Sequence, residues 1–264
     1  QTIPMNSQTE SILFIGNGEW SRKVSNILVA SDSRLKPVVI SARSFLNTQN
    51  QALPEGRMLE DFSFIWITTF PEMQLKILEH LQDLNSKIIL EKPIALTLAD
   101  IQQLRSIIPK MRSSVYLSQP WTFSKLWESA FTQIVRNSEN LEINAFRVGE
   151  SERTSISPSL DWSPHDLYLL ASLMQAKQLG IESLKLLSLR GSSKEISLDY
   201  QIGQDVRVNL QAGKSDSRRA YWRISVDDQN HFEIDFDSRA IKRKEGSDEI
   251  IEEFRSDNPI MNML

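Results

Sequence analysis

The 264-residue chain predicts an α/β domain with a doubly wound parallel sheet, followed by an α+β domain with an open antiparallel sheet. Three observations carry this. Short apolar runs alternate with helical patterns through the first part of the chain, the mark of a parallel sheet covered on both faces. Two of only nine glycines, Gly16 and Gly18, stand where the first apolar run gives way to the first helical pattern. Beyond about residue 120 the pattern changes to strand-length alternating segments joined by short polar turns.

The elements follow in order. Residues 11–15 (SILFI) read as a buried strand, 20–30 as a helix, 36–41 (KPVVIS) as a second strand and 62–68 (FSFIWIT) as a third. Pro71 opens a helix to about residue 84, with Met73, Ile77, Leu78 and Leu81 at helical spacing. Residues 87–90 (KIIL) form a fourth strand, 98–108 a helix and 115–117 a fifth strand. Helical patterns at 124–136 and 164–176 then precede alternating runs at 183–190, 195–201, 206–211, 221–226 and 232–236, which read as an antiparallel meander. These readings divide the chain into two domains, 1–119 and 120–264.

Composition narrows the chemistry. Thirty basic against 34 acidic residues give a net charge of −4, which is no electrostatic footprint for nucleic acid. The basic run Lys242-Arg243-Lys244 is followed by Glu245, Asp248 and Glu249 and reads as a solvated turn. Without cysteine there is no disulfide, thiolate nucleophile or iron-sulfur cluster, and the three histidines, His80, His165 and His231, stand far apart, so no metal site is expected. No apolar run approaches the roughly 18 residues of a membrane span, and residues 1–10 show no secretory pattern, so a cytoplasmic protein without a membrane partner is expected.

The glycine turn is the first functional candidate. Gly16-Asn17-Gly18-Glu19-Trp20-Ser21 lies between strand and helix, where a dinucleotide pyrophosphate is held by helix N–H groups. Gly16 makes the tight turn and Gly18 lets backbone approach phosphate, while Ser21 replaces the third glycine of the Rossmann-like fingerprint. The plainer reading is a turn that needs two permissive residues. At the end of the second strand, where a carboxylate would bind the ribose hydroxyls of NAD, stand Ser41, Arg43 and Ser44; this suits a 2′-phosphate and therefore NADP over NAD. Its plainer counterpart is a solvated arginine.

The stretches IGNGEWSRKV, ITTFPEMQLKIL, ILEKPIALTLADIQQL and DWSPHDLYLL resemble, in order, the motifs of the glucose-fructose oxidoreductase and inositol dehydrogenase (Gfo/Idh/MocA) family. The resemblance is dense over residues 11–118, isolated around 161–170 and only architectural afterwards. It implies a nicotinamide-dependent oxidoreductase that moves a hydride to or from a sugar, cyclitol or related carbinol, and a homodimer or higher homo-oligomer built through the antiparallel sheet. It implies Lys92, Asp161 and His165 as the catalytic set. Cofactor contacts fall on Gly16, Asn17, Gly18, Glu19, Trp20, Ser41, Arg43, Ser44, Thr68, Thr69, Phe70, Pro71, Glu91 and Lys92, and substrate contacts on Gln119, Trp162 and His165.

The implied chemistry is coherent. Oxidising a secondary alcohol removes a proton from oxygen as hydride leaves carbon, and histidine titrates near the operating pH. His165 is then the proton acceptor, the Lys92 ammonium stabilises developing alkoxide, and Asp161 orients substrate or imidazole. Either Ser163 or Asp161 is expected to cap the helix, with Pro164 in its first turn, Leu167, Leu170, Ala171 and Met174 as its apolar stripe, and His165 at the positive end of the helix dipole.

Several positions depart from the family pattern: Ser21, Ser163 for a usual glycine, Gln74 for a frequent histidine, and Ser118-Gln119-Pro120-Trp121 where an arginine is common. Two rival readings therefore stand beside the dehydrogenase, a catalytically silent nucleotide-binding regulator or scaffold and a biliverdin-reductase-like enzyme.

Overall fold

The computed structural model describes residues 11–47, 53–136, 140–150, 156–226, 230–245 and 248–263. They form two compact units, the first ending at Ser118 and also including Met263, the second Gln119–Asn262. The first runs β1 (Ile12–Ile15), α1 (Glu19–Ser31), β2 (Val38–Ile40), α2 (Ala42–Asn47), β3 (Phe64–Ile67), α3 (Pro71–His80), β4 (Lys87–Leu90), α4 (Leu98–Ile107) and β5 (Ser114–Leu117). Its five strands are all parallel, in the order β2-β1-β3-β4-β5. Every residue of β1 and β3 is buried, which is why these strands read as continuous apolar runs rather than alternating ones. Phe14 of β1 stacks on Trp66 of β3 with ring centroids 5.4 Å apart.

Helix starts are set locally. Thr97 accepts from the Asp100 backbone N–H at 3.2 Å while the Asp100 carboxylate accepts from the Thr97 N–H at 2.8 Å, a reciprocal cap that begins α4 immediately after the β4 loop. Pro71 takes the first position of α3, where its missing N–H costs nothing. Short α2, absent from the sequence reading, is opened by Ser41, whose Oγ accepts from the Ser44 N–H at 2.9 Å. The chain leaves β1 toward β2 on one side and meets β3 on the other, so the strand order reverses beside β1. Ligands of open α/β sheets bind beyond the carboxyl ends of the strands at such a point.

The second unit runs α5 (Lys125–Arg136), β6 (Leu141–Gly149), α6 (Pro158–Asp161), α7 (Ser163–Ala176), β7 (Leu184–Gly191), β8 (Glu195–Ile202), β9 (Val206–Lys214), β10 (Arg219–Val226), β11 (Asn230–Asp235), β12 (Ala240–Glu245), β13 (Asp248–Glu253) and α8 (Pro259–Met263). Its sheet has eight strands in the order β13-β12-β11-β10-β6-β9-β8-β7. Helices α5 and α7 cover one face, and Leu126, Trp127, Ile134, Leu169 and Leu173 pack there against Ile143, Leu210, Trp222 and Ile224. The opposite face is polar, with Arg223 bonded to Glu233 at 2.9 Å and Lys242 to Asp235 at 2.9 Å.

Three expectations are corrected here. The sheet is mixed rather than a pure meander: β6 inserts between β9 and β10, pairing parallel with the former and antiparallel with the latter. The run Lys242-Arg243-Lys244 lies in β12, not in a turn, because its charges are carried by Glu233, Asp235 and Glu252 on flanking strands. Neither Ser163 nor Asp161 caps α7. Asp161 ends the one-turn α6, Trp162 is the N-cap and Ser163 is the buried first helical residue.

Candidate active site

In the first unit the candidate residues gather at the carboxyl ends of β1 to β4. Gly16 takes φ +131°, and a Cβ there would stand 2.6 Å from both the carbonyl oxygen and the Oγ1 of Thr68, so only glycine lets the first turn pass the end of β3. Thr68 in return donates its hydroxyl to the Gly16 carbonyl at 3.2 Å. Gly18 is the N-cap of the 13-residue α1, makes no side-chain cap bond, and has no heavy atom within 4 Å of where a Cβ would be. The first N–H groups of a helix have no partner within it, and here no side-chain cap takes one up. Asn17, Gly18 and Glu19 are exposed, Glu19 in the first helical turn. Ser21, which replaces the third glycine, is fully buried and donates to the Gly18 carbonyl at 2.8 Å, so its hydroxyl tightens the turn instead of obstructing it.

Ser41, Arg43 and Ser44 lie together at the start of α2, the two serine hydroxyls 2.7 Å apart and Arg43 exposed beside them. Thr68, Thr69, Phe70 and Pro71 form the β3–α3 connection, with Phe70 as N-cap of α3 and half exposed. Beneath it, the side-chain amide of buried Gln74 donates to the carbonyls of Thr69 and Glu91, each at 2.9 Å. Gln74 thus ties the β3–α3 connection to the loop that follows β4. This is a structural role for a position the sequence marks only as a departure.

Lys92 follows β4 directly, is half-buried and precedes a cis peptide bond to Pro93. Its neighbour Glu91 turns inward: the carboxyl is buried and accepts from the Trp66 indole at 2.9 Å. The Ser118 hydroxyl and the Trp20 indole also face this carboxyl without closing a full hydrogen bond. Burial pushes the Glu91 carboxyl above its usual pKa against the pull of these donors and of the Lys92 charge. The Trp20 indole nitrogen is accordingly buried.

In the second unit Asp161 is 6% exposed, and His165 is half-buried in the first turn of α7. Trp162 sits between them against the end of β6, where a Cβ on Gly149 would meet the Trp162 ring at 2.9 Å. The buried residues of α7 are Ser163, Asp166, Leu169, Leu170, Leu173 and Met174, with Leu167 packed against the same core. Of the expected stripe only Ala171 is exposed, and a charged residue stands among the buried positions. Asp166 is fully buried and meets Arg147 of β6 in a two-bond pair, Nε to Oδ2 and Nη2 to Oδ1, both 2.8 Å. The Trp222 indole donates to the same Oδ1 at 2.8 Å. Gln119 is buried with its amide nitrogen unpartnered among the described residues. Among those residues no cluster of His, Asp and Glu could hold a metal ion, and no helix is long and apolar enough to cross a membrane.

Among protein-family models and curated proteins none matches this chain. Solved structures do. The UDP-N-acetylglucosamine 3-dehydrogenase of Acidithiobacillus ferrooxidans matches with TM-score 0.71 at 14% identity, over 95% of this chain and 84% of its own. The aldose-aldose oxidoreductase of Caulobacter crescentus matches with TM-score 0.71 at 14% identity, over 92% and 83%. The biliverdin reductase of Synechocystis, solved with biliverdin and NADP+, matches with TM-score 0.66 at 12% identity, over 97% and 88%. These neighbours are oxidoreductases of the Gfo/Idh/MocA type, which the sequence motifs resemble. The chain has their two-domain fold, a five-stranded parallel sheet followed by a mixed, mostly antiparallel sheet of eight strands.

Proposed function

We propose that the protein is an NADP-preferring oxidoreductase that transfers a hydride between nicotinamide and a sugar-like carbinol or carbonyl. The observation that carries the proposal is in the first unit. An uncapped helix N-terminus behind a glycine turn stands at the point of strand-order reversal, and Lys92 emerges from the same edge of the sheet. The residues fit a dinucleotide: Gly18 leaves room for phosphate, Gly16 and Thr68 hold the turn, and Arg43 with Ser41 and Ser44 supplies a cation and two hydroxyls for a 2′-phosphate. When bound, nicotinamide supplies the hydride acceptor or donor.

The chain's own residues supply the rest of the chemistry. Lys92 places positive charge at the substrate oxygen, His165 takes the alcohol proton in oxidation and returns it in reduction, and Asp161 orients the reacting group. Trp162 and Gln119 are the proposed substrate contacts. Assembly into a homodimer or higher homo-oligomer through the second sheet belongs to the same proposal. It is supported by Leu186, Leu187 and Leu189, which are 49–60% exposed on edge strand β7.

The test is turnover. Purified protein with NADP+ is offered a panel of sugars, nucleotide sugars and cyclitols, and with NADPH their keto forms and biliverdin, following absorbance of the reduced nicotinamide. The proposal expects turnover on a carbinol or its keto form, abolished in Lys92→Ala. Turnover on biliverdin alone, or none on any substrate, contradicts it.

A further inference from the structure

We propose that Asp166 and Arg147 are positioning residues for His165, a buried ion pair that fixes the turn of helix on which the imidazole is carried. The inference rests on the reading of His165 as the proton carrier and deepens it.

Asp166 is the next residue after His165, so whatever fixes its carboxylate fixes the neighbouring Cα within the same helical turn. That carboxylate receives three hydrogen bonds, two from the Arg147 fork and one from the Trp222 indole, each 2.8 Å long. Arg147 and Asp166 are respectively 1% and 0% exposed, and the guanidinium also lies over the Phe236 ring, 5.1 Å from its centroid. Arg147 and Trp222 come from adjacent strands, so two neighbouring strands of the sheet hold the acid.

Two further observations separate this arrangement from ordinary packing. A buried ion pair is a poor way to stabilise a core, since apolar residues of similar volume serve as well or better; what a two-bond guanidinium-carboxylate pair adds is direction. Here the direction is imposed on the first turn of α7, where Ser163 is the other buried residue; beyond that turn the buried stripe is apolar, Leu169, Leu170, Leu173 and Met174. Two residues beyond Arg147 on the same face of β6, Gly149 leaves only enough space for the Trp162 ring. The end of one strand therefore seats Asp166 through a charge and Trp162 through a missing Cβ, and these two residues bracket the segment that carries His165.

The chain has only three histidines, so imidazole NMR reads His165 directly. Protein labelled with 15N- and 13C-histidine is compared with Arg147→Met/Asp166→Leu, which removes both charges, with His165→Gln used for assignment. The proposal expects the variant to fold and to bind NADPH as the wild type does. Its His165 ring resonances broaden or split while those of His80 and His231 stay in place. Arg147→Lys, which keeps the charge but loses the fork, gives an intermediate spectrum. On a substrate that the wild type turns over, the double variant loses about 10²-fold in kcat with little change in KM for NADPH.

Unchanged His165 resonances in the folded double variant overturn the proposal. If that variant does not fold, Asp166→Asn, which preserves volume and an acceptor for Trp222, takes its place. Unchanged resonances, or failure to fold there as well, assign the pair to stability alone and overturn the proposal too. Failure of the dehydrogenase reading shows separately, as absence of NADPH binding in the wild type, whereas the spectra report on positioning whether or not the protein turns over.

Discussion

Each unit buries a carboxyl group immediately beside a proposed catalytic residue, and the two are neutralised by different means. Glu91, next to Lys92, has an indole donor at 2.9 Å and no guanidinium; burial drives it toward its protonated form. Asp166, next to His165, receives a complete guanidinium fork and an indole N–H. An acid without a cation partner relieves its burial cost by holding a proton, whereas a paired one keeps its charge and gains fixed geometry. The difference fits the duties proposed for the neighbours. Lys92 stands two residues beyond a buried strand, while His165 rides the first turn of a helix that the sheet holds through Asp166.

The largest effect should come from removing one half of the paired arrangement. Arg147→Ala leaves the Asp166 charge buried and uncompensated, and urea denaturation should show a loss of about 3–5 kcal/mol. A loss below about 1 kcal/mol would mean that the pair is not the buried unit described. On the other side of the comparison, Lys92→Ala should leave folding nearly intact. It should lower kcat by about 10²–10³-fold, the range for loss of one group that stabilises developing negative charge.

A smaller change is expected at the turn. Gly16→Ala puts a methyl 2.6 Å from the Thr68 carbonyl oxygen at φ +131°, and should cost about 1–3 kcal/mol of stability and weaken NADPH binding. A fully stable Gly16→Ala with wild-type affinity would show that the turn has freedom the described contact denies it.

The smallest effect concerns the unpaired acid. Because the pKa of Glu91 is raised above 4.5 in the fold, its contribution to stability is fully present below about pH 4.5 and is lost as pH rises through the folded-state value. Glu91→Gln carries no such dependence, so the variant should gain on the wild type as pH increases from about 4 to 8. Paired urea titrations at several pH values read this; a difference that stays flat, or runs the other way, would show that Glu91 is ionised in the fold.

Much of the first unit was legible because its signals are local. Buried strands are apolar runs, Thr97 and Asp100 announce a cap, and Gly16 is irreplaceable where it stands. The turn residues and Lys92 needed only the order of strand and helix. Helix α2 escaped because one short turn carries too little periodicity to register.

The second unit hid what matters most in it. Strand β6 alternates cleanly through Leu141, Ile143 and Ala145, but its next core-facing position is Arg147, and a charged residue there breaks the apolar pattern. The stripe of α7 is interrupted in the same way, since Asp166 stands among its buried positions. Charged residues at two positions that periodicity reserves for apolar ones were the available signal, and their pairing across the fold could be seen only in three dimensions. The insertion of β6 between β9 and β10 was likewise out of reach, because turn lengths describe neighbours in sequence and not the partner taken by a distant strand.

The central claim is that the glycine turn and α2 hold a nicotinamide dinucleotide with a 2′-phosphate. The most direct measurement is a fluorescence titration of the wild type and of Arg43→Glu with NADPH and with NADH. The account predicts saturable micromolar binding of NADPH by the wild type, weaker binding of NADH, and loss of the preference for NADPH in Arg43→Glu. Absence of binding of either nucleotide by folded wild-type protein would contradict it and leave a silent scaffold of the same fold as the better reading.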